Sequence, residues 1–420
     1  MIETKFKQTE LGPIPEDWEV GTFVNFLTTF SAGATPYRGI PDNFIGQIPW
    51  ISSGELNYCE INDTREHISL DAQRNTHLTV HKPGTFLIAI TGLEAAGTRG
   101  RCAFVKTPST TNQSCLAINS TDKMTVKYLF WFYRQWSDYL AFNFSQGSKQ
   151  QSFTAEIAKK LPIYAPTYNE QVAIAEALND ADALILELDT LIEKKKAVLQ
   201  GAMQELLTGR RRLSGFSSPW KTRPITDICS IKARIGWQGL RSDEFLNSGD
   251  YVLVTGTDIL QGHVNWSHTY FVSIERFDQD KSIQLKLGDI LITKDGTIGK
   301  VAFIDKLPKP ATLNSGIYVI RPKQGQSIFN GYLSWFFKSS FFDDFIQELR
   351  AGSTISHLYQ KDFVKLNIFS PSDTAEQRAI AAILSDMDAE IAELDAKREK
   401  YASIRHGMMQ QLLTGKIRLI

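Results

Sequence analysis

The side chains best placed for chemistry in this chain sit in short glycine-rich runs, and their types suit contact with polar edges better than bond making. In QGSKQQS, Lys149, Gln150 and Gln151 follow Gly147 and Ser148. A glutamine amide can pair with an adenine edge, and a lysine ammonium with guanine or a phosphate. TRGR carries Arg99 and Arg101 in a glycine-rich turn from which a guanidinium could enter a groove, and Tyr37 and Arg38 follow the run SAGATP. Farther along, Arg234, Trp237, Gln238 and Arg241 form a basic, aromatic, glycine-spaced cluster. Lys294 and Lys300 flank a turn at Gly296, and Ser353, Thr354 and His357 lie in a polar stretch after Gly352.

Patterns that make or break bonds are missing. The chain has no HExxH, no GxSxG elbow, no GxGxxG after a strand and no NPPF/Y-type methyltransferase motif, and its seven histidines lack metal-ligand spacing. GTIGKV at Gly296 resembles the end of a phosphate-binding loop, but Lys294 stands where the first glycine belongs and Val301 where a Ser or Thr must reach magnesium. A hairpin turn is the expectation there. The pairs Asp343-Asp344 and Asp278/Asp280 read as solvated surface. No catalytic residue, metal or cofactor is expected. Cys59, Cys102, Cys115 and Cys229 form no CxxC pair, and the N-terminus has no apolar leader, so a cytoplasmic setting is expected.

An internal repeat defines the elements that must carry these residues. The segment EQVAIAEALNDADALILELD from Glu170 recurs as EQRAIAAILSDMDAEIAELD from Glu376, and both copies run on to LLTG, at Leu206 to Gly209 and Leu412 to Gly415. They share about 22 identities over about 40 ungapped positions. The offset of 206 is close to half of 420 residues, so the whole plan is duplicated. Fainter matches agree: Trp18 with Trp220, PGTFLIAITG with LGDILITKDG, NQSCLAI with NSGIYVI, and YLFWF with YLSWF.

Each variable part mixes short β-rich runs (TFLIAIT, DILITK, GIYVIRP) with Gly/Pro/Asn turns and reads as an α+β domain. The repeated segments read as long helices capped at Thr-Gly. In the first, Leu178, Ala181, Ile185, Leu188, Ile192, Leu199, Ala202 and Leu206 recur at steps of three and four, interrupted by Lys195. In the second, Leu384, Met387, Ile391, Leu394, Tyr401, Met408 and Leu412 do so, interrupted by Arg398 and Arg405. Such stripes suit a coiled-coil partner, and the obvious partner is the other copy. The expected boundaries are 1–168 and 210–372 for the domains, 169–209 for the central helix and 373–420 for the C-terminal one.

Charge adds little. Lys+Arg and Asp+Glu both total 46, so no whole-chain argument for nucleic acid or membrane is available. Residues 211–370 carry 20 basic and 15 acidic side chains, against 15 of each in residues 1–168.

The paired EQ helices ending in LLTG, the LGPIPEDW opening and the SAGATP turn together resemble the specificity subunits of type I restriction–modification systems, over essentially the full length. The resemblance implies a non-enzymatic chain. Two pseudo-twofold-related target-recognition domains are separated by two long helices forming an antiparallel coiled coil. Each domain would read one half of an asymmetric, bipartite site on double-stranded DNA. The helices would set the spacer and dock two methyltransferase subunits, to which motor-nuclease subunits add. A standalone nuclease or methyltransferase with an unrecognised active site, or a coiled-coil scaffold without DNA selectivity, stays open on the residues alone.

Overall fold

The computed structural model describes residues 5–95, 97–147, 149–236, 239–351 and 357–419. It divides into two compact units, Met1–Asp189 with Ala396–Ile420, and Thr190–Asp395. Each unit holds a mixed domain and parts of both long helices.

In the first unit a five-stranded sheet runs in the order Leu27–Ala32, Cys115–Ser120, Phe86–Ala89, Cys102–Val105, Glu60–Ile61. Its pairs are antiparallel except the last, which is parallel. The strand Phe86–Ala89 is buried at every position, as an apolar run covered on both faces requires. One face packs on the helix Val126–Phe144. That helix starts where the Thr125 hydroxyl accepts the Tyr128 N–H, and its aromatic run fills the core. A smaller sheet joins Thr110–Thr111, Ile48–Ile51 and His67–Ile68. The second unit repeats the plan: a four-stranded antiparallel sheet in the order Cys229–Lys232, Ile317–Pro322, Ile290–Thr293, Val301–Phe303, a three-stranded sheet centred on Tyr251–Val254, and the helices Asn330–Phe337 and Ser340–Ala351. The GTIGKV segment lies in the hairpin between Ile290–Thr293 and Val301–Phe303, as its missing phosphate-loop residues predict.

Each domain is closed by pairing an early strand with its last one, Glu19–Thr22 with Pro162–Ala165 and Trp220–Pro224 with Asn367–Pro371. The chain then enters the long helices Tyr168–Leu206 and Thr374–Leu412. These run antiparallel to one another within each unit. In the first unit Arg405 pairs with Asp182, and Arg398 Nε lies 3.0 Å from Asp189, so numbers rise on one helix as they fall on the other. In the second, Lys195 Nζ lies 2.6 Å from Glu390. The charged residues that interrupt the apolar stripes are therefore the cross-helix ion pairs. Leu178, Ile185, Leu188, Ile192, Leu206, Leu384, Ile391 and Leu412 are buried, while Leu199, Leu394, Tyr401 and Met408 are half-buried. Near the C-terminal end Met409 is buried more deeply than Met408, because there the helix also packs into the domain core and its covered face shifts by one residue.

The repeated EQ and LLTG signatures form a clasp. In the first unit the Glu170 carboxylate receives Arg418 at 2.6 and 2.8 Å and the Trp18 indole N–H at 3.3 Å. In the second, Glu376 receives Arg212 at 2.6 and 2.8 Å, with the guanidinium over the Trp220 ring. The neighbouring glutamines do the same job twice. Gln171 accepts the Thr125 N–H at 2.8 Å and donates to the carbonyls of Lys123 and Pro166, and Gln377 treats Phe329, Ser327 and Pro371 alike. Gly209 and Gly415 end the helices at φ values of 69° and 66°, a left-handed conformation that glycine adopts without steric cost.

Candidate nucleic-acid interface

Strand register decides which loops meet. In the first unit Cys115 pairs with Ala89, Leu116 with Ala32, and Cys102 with Ile88, so the segments 33–38, 90–95, 97–101 and 112–114 share the same end of the sheet. Thr111 pairs in parallel with Ile51, which brings 52–55 to that end as well. Ser152 joins them through a bridge to Thr91 and also bridges Gln146. Hydrogen bonds then lock the loops together. Leu93 N–H donates to the Gln151 carbonyl at 3.0 Å, Gln151 N–H to Glu94 Oε2 at 2.8 Å, and Arg101 Nη1 to the Gly54 carbonyl at 3.2 Å.

Tyr37, Arg38, Arg99, Arg101, Lys149, Gln150 and Gln151 thus lie in loops that gather at one end of the first sheet. They do not play one part. Lys149 and Gln150 are exposed and Tyr37 is 73% exposed, free to meet a partner molecule. Arg99 is spent largely on its own loop, donating to the carbonyls of Leu93 at 2.9 Å and Glu94 at 3.1 Å. Arg38 forms a two-pronged pair with Glu66 at 2.9 and 2.8 Å, and its guanidinium lies over Phe44. That carboxylate raises the arginine's pKa and is itself held below the usual carboxylate range. Pairing stiffens the arm and cancels much of its charge toward phosphate.

The second unit gathers the equivalent loops. Thr293 pairs with Ile317 and Val254 with Leu313, so 294–300, 314–316 and 255–258 share one end. Lys232 pairs with Val319, which sends 233–236 the same way. Asp295 bridges His357, the counterpart of the Thr91–Ser152 bridge, and its carboxylate pairs with the imidazole. Lys294 and Lys300 are half-buried, with the Lys294 ammonium 5.3 Å from the Tyr318 ring centre, and Arg241 is exposed. Arg234 is a correction to the expectation of an outward-facing reader. It is 2% exposed, and its guanidinium donates to the Leu313 carbonyl at 2.9 Å, Thr312 Oγ1 at 3.3 Å and Gln279 Oε1 at 3.4 Å. Trp237, Gln238, Ser353 and Thr354 lie outside the described residues.

Some residues at these loop ends escaped the sequence reading. Thr35 and Gln113 bond to each other across two loops of the first unit, Oγ1 to Oε1 at 2.5 Å. Glu55 accepts the Ser52 N–H at 2.9 Å and its hydroxyl at 2.7 Å. Asp258 accepts the Thr255 N–H at 2.7 Å and its hydroxyl at 2.9 Å, and burial pushes its pKa up. The last two are matching turn locks, and a Ser/Thr followed three residues later by an acid was the available signal. The acidic pair Asp343-Asp344 is exposed, as its reading as surface predicts, and among the described residues no cluster of His, Cys, Asp or Glu could hold a metal ion. Among those residues, too, no helix is long and apolar enough to cross a membrane.

Two like domains, each with diverged polar loops at one sheet end and each closed by the same clasp, define a repeat of one binding module. The profile of the type I restriction modification DNA specificity domain matches residues 15–199 and again residues 217–401, and the chain belongs to that family. It is 25% identical over 438 residues to the putative type I restriction enzyme MjaX specificity subunit of Methanocaldococcus jannaschii, covering 99% of this chain and 97% of that relative. To the MjaIX specificity subunit of the same organism it is 31% identical over 199 residues, 46% of this chain and 43% of the relative. A similar local match, 24% over 202 residues, links it to the EcoKI specificity subunit of Escherichia coli, covering 47% of this chain and 42% of that one. The fold is shared with the type I restriction–modification S subunit from M. genitalium, at a TM-score of 0.62, 16% identity, and coverage of 97% of this chain and 98% of that one.

Proposed function

We propose that this chain is the DNA-recognition subunit of a type I restriction–modification complex, working in the cytoplasm and reading rather than reacting. Each unit reads one half of an asymmetric site with the loops at its sheet end: those that carry Tyr37, Arg99 and Lys149 in the first, and those that carry Arg241, Lys294 and His357 in the second. Tyr37 and Gln150 are the exposed readers of the first unit and Lys149 an exposed phosphate contact beside them, with Arg99 and Arg101 shaping the loop beneath. Arg241, Lys294, Lys300 and His357 belong to the second. The observation that carries this reading is the division of labour in the duplicated chain. Residues that repeat (Glu170/Glu376, Gln171/Gln377, Arg418/Arg212) are consumed in closing the structure, whereas the gathered loops differ between copies. Half-sites read by unlike loops are unlike.

The paired helices set the spacer and receive two methyltransferase subunits, to which motor-nuclease subunits add. Val198 and Ile404, equivalent in the two repeats, keep apolar side chains exposed on the helices and suit such docking. The spacer role has a direct test. Seven residues added after Asp189 and seven more before Ala396 preserve the stripe and lengthen both helices by about 10 Å. Methylation mapping of a host carrying this variant should return the same half-sites with a gap wider by about three base pairs, at roughly 3.4 Å each. Altered half-sites with an unaltered gap would overturn the assignment.

A further inference from the structure

We infer that Gln113 is a specificity-determining residue of the first unit, that its amide is held ready by Thr35, and that the base it reads is an adenine. This rests on the recognition role proposed above. Gln113 sits at the tip of a turn whose other members are pinned. Asn112 N–H donates to the Ile51 carbonyl at 2.9 Å, and the Asn112 side chain accepts the Ser114 N–H at 3.0 Å. The Ser114 carbonyl in turn accepts the Ile90 N–H at 2.9 Å. Gln113 itself is exposed, at the end where the reading loops converge.

Its partner is delivered by the SAGATP turn. Ala34 N–H donates to the Thr111 carbonyl at 3.2 Å, and a Cβ on Gly33 would lie 1.9 Å from that same oxygen. Only glycine allows the two backbones to come so close, and the closeness puts the Thr35 hydroxyl on Gln113 Oε1. A hydroxyl donating to Oε1 leaves the amide N–H groups and one oxygen lone pair of this exposed side chain for a ligand. The major-groove edge of adenine offers N7 as acceptor and the N6 amino group as donor, which match that pair. Guanine presents O6 and N7, two acceptors, and sets its O6 against the amide oxygen. Fixing the amide before DNA arrives also reduces the rotamer freedom lost on binding. At the equivalent turn of the second unit Ser315 stands in place of the glutamine, with its hydroxyl turned back toward the Asn314 side chain. That turn of the second unit offers no such amide.

The test is selection of bound duplexes from a randomised pool by the full-length chain with its methyltransferase subunits, for the wild type and for Gln113→Ala, Gln113→Glu and Thr35→Val. Wild type should return a bipartite motif. Both Gln113 variants should return that motif with one adenine of one half-site lost, its preference falling about tenfold or more. Thr35→Val should weaken the same position and no other. An unchanged motif in both Gln113 variants overturns the inference and leaves the recognition role standing. A wild-type complex that selects no motif overturns both.

Discussion

Arginine at a loop is not one kind of residue, and its bonds separate the roles. Arg234 holds the strand end of the second unit from inside, so Arg234→Met should lower unfolding stability by about 1–3 kcal/mol in urea titration, the cost of stranding its buried acceptors. If stability is unchanged and only DNA binding falls, the structural role is wrong. Lys149 is the opposite case, an exposed ammonium at a reading loop. Lys149→Ala should weaken binding by a similar factor on every sequence and reduce the slope of log K against log salt by about 1, as loss of a phosphate contact does. Loss confined to the cognate site would make Lys149 a base reader instead. Lysine and glutamine types marked these positions in the sequence. Burial did not show there, because it depends on what packs above a residue, and Arg234 had the same glycine-spaced polar flanks as an exposed reader.

At the scale of elements, the join between domain and helix pair carries a polar node in each unit. In the first, Asp182 lies between Arg405 and Arg134, with the Arg134 guanidinium 4.6 Å from the Trp131 ring centre. In the second, Asp388 faces Lys338, whose ammonium lies 4.6 Å from the Trp335 ring centre. Burial lowers the pKa of both Arg134 and Lys338, and the facing carboxylates oppose that shift. Asp182→Asn should therefore cost about 2 kcal/mol in urea titration, because it leaves two guanidiniums facing each other. That is less than the roughly 3–5 kcal/mol of a fully buried pair, since part of the node still meets water. A neutral result would show the node to be solvated. The nodes also bear on helix length. An insertion after Asp189 in one helix alone puts the pairs Asp189–Arg398 and Lys195–Glu390 out of step, so a ruler test needs both helices extended.

For the whole molecule, a formal charge of zero limits what the chain does alone. Grip on a duplex comes mainly from neutralised phosphates, and this chain pairs many of its arginines internally. The isolated chain should bind its site no more tightly than about micromolar at physiological salt, near the non-specific range of about 10⁻⁴–10⁻⁶ M. Methyltransferase subunits should raise the affinity by supplying further basic contacts. Fluorescence anisotropy with and without them measures both, and nanomolar binding by the chain alone would contradict this account.

The sequence by itself determined the duplication, the long helices and their stripes, the mixed domains between them and the lack of catalytic patterns, because periodicity and repeats are local or self-comparing properties of a chain. Tertiary structure alone decided what the interrupting charges are for, and why Glu-Gln and LLTG recur together. Their partners, Glu170 with Arg418 and Glu376 with Arg212, lie far apart in sequence and meet only when the helices run antiparallel. It also decided which polar loops share a sheet end and which arginine faces inward, since strand register and packing set both.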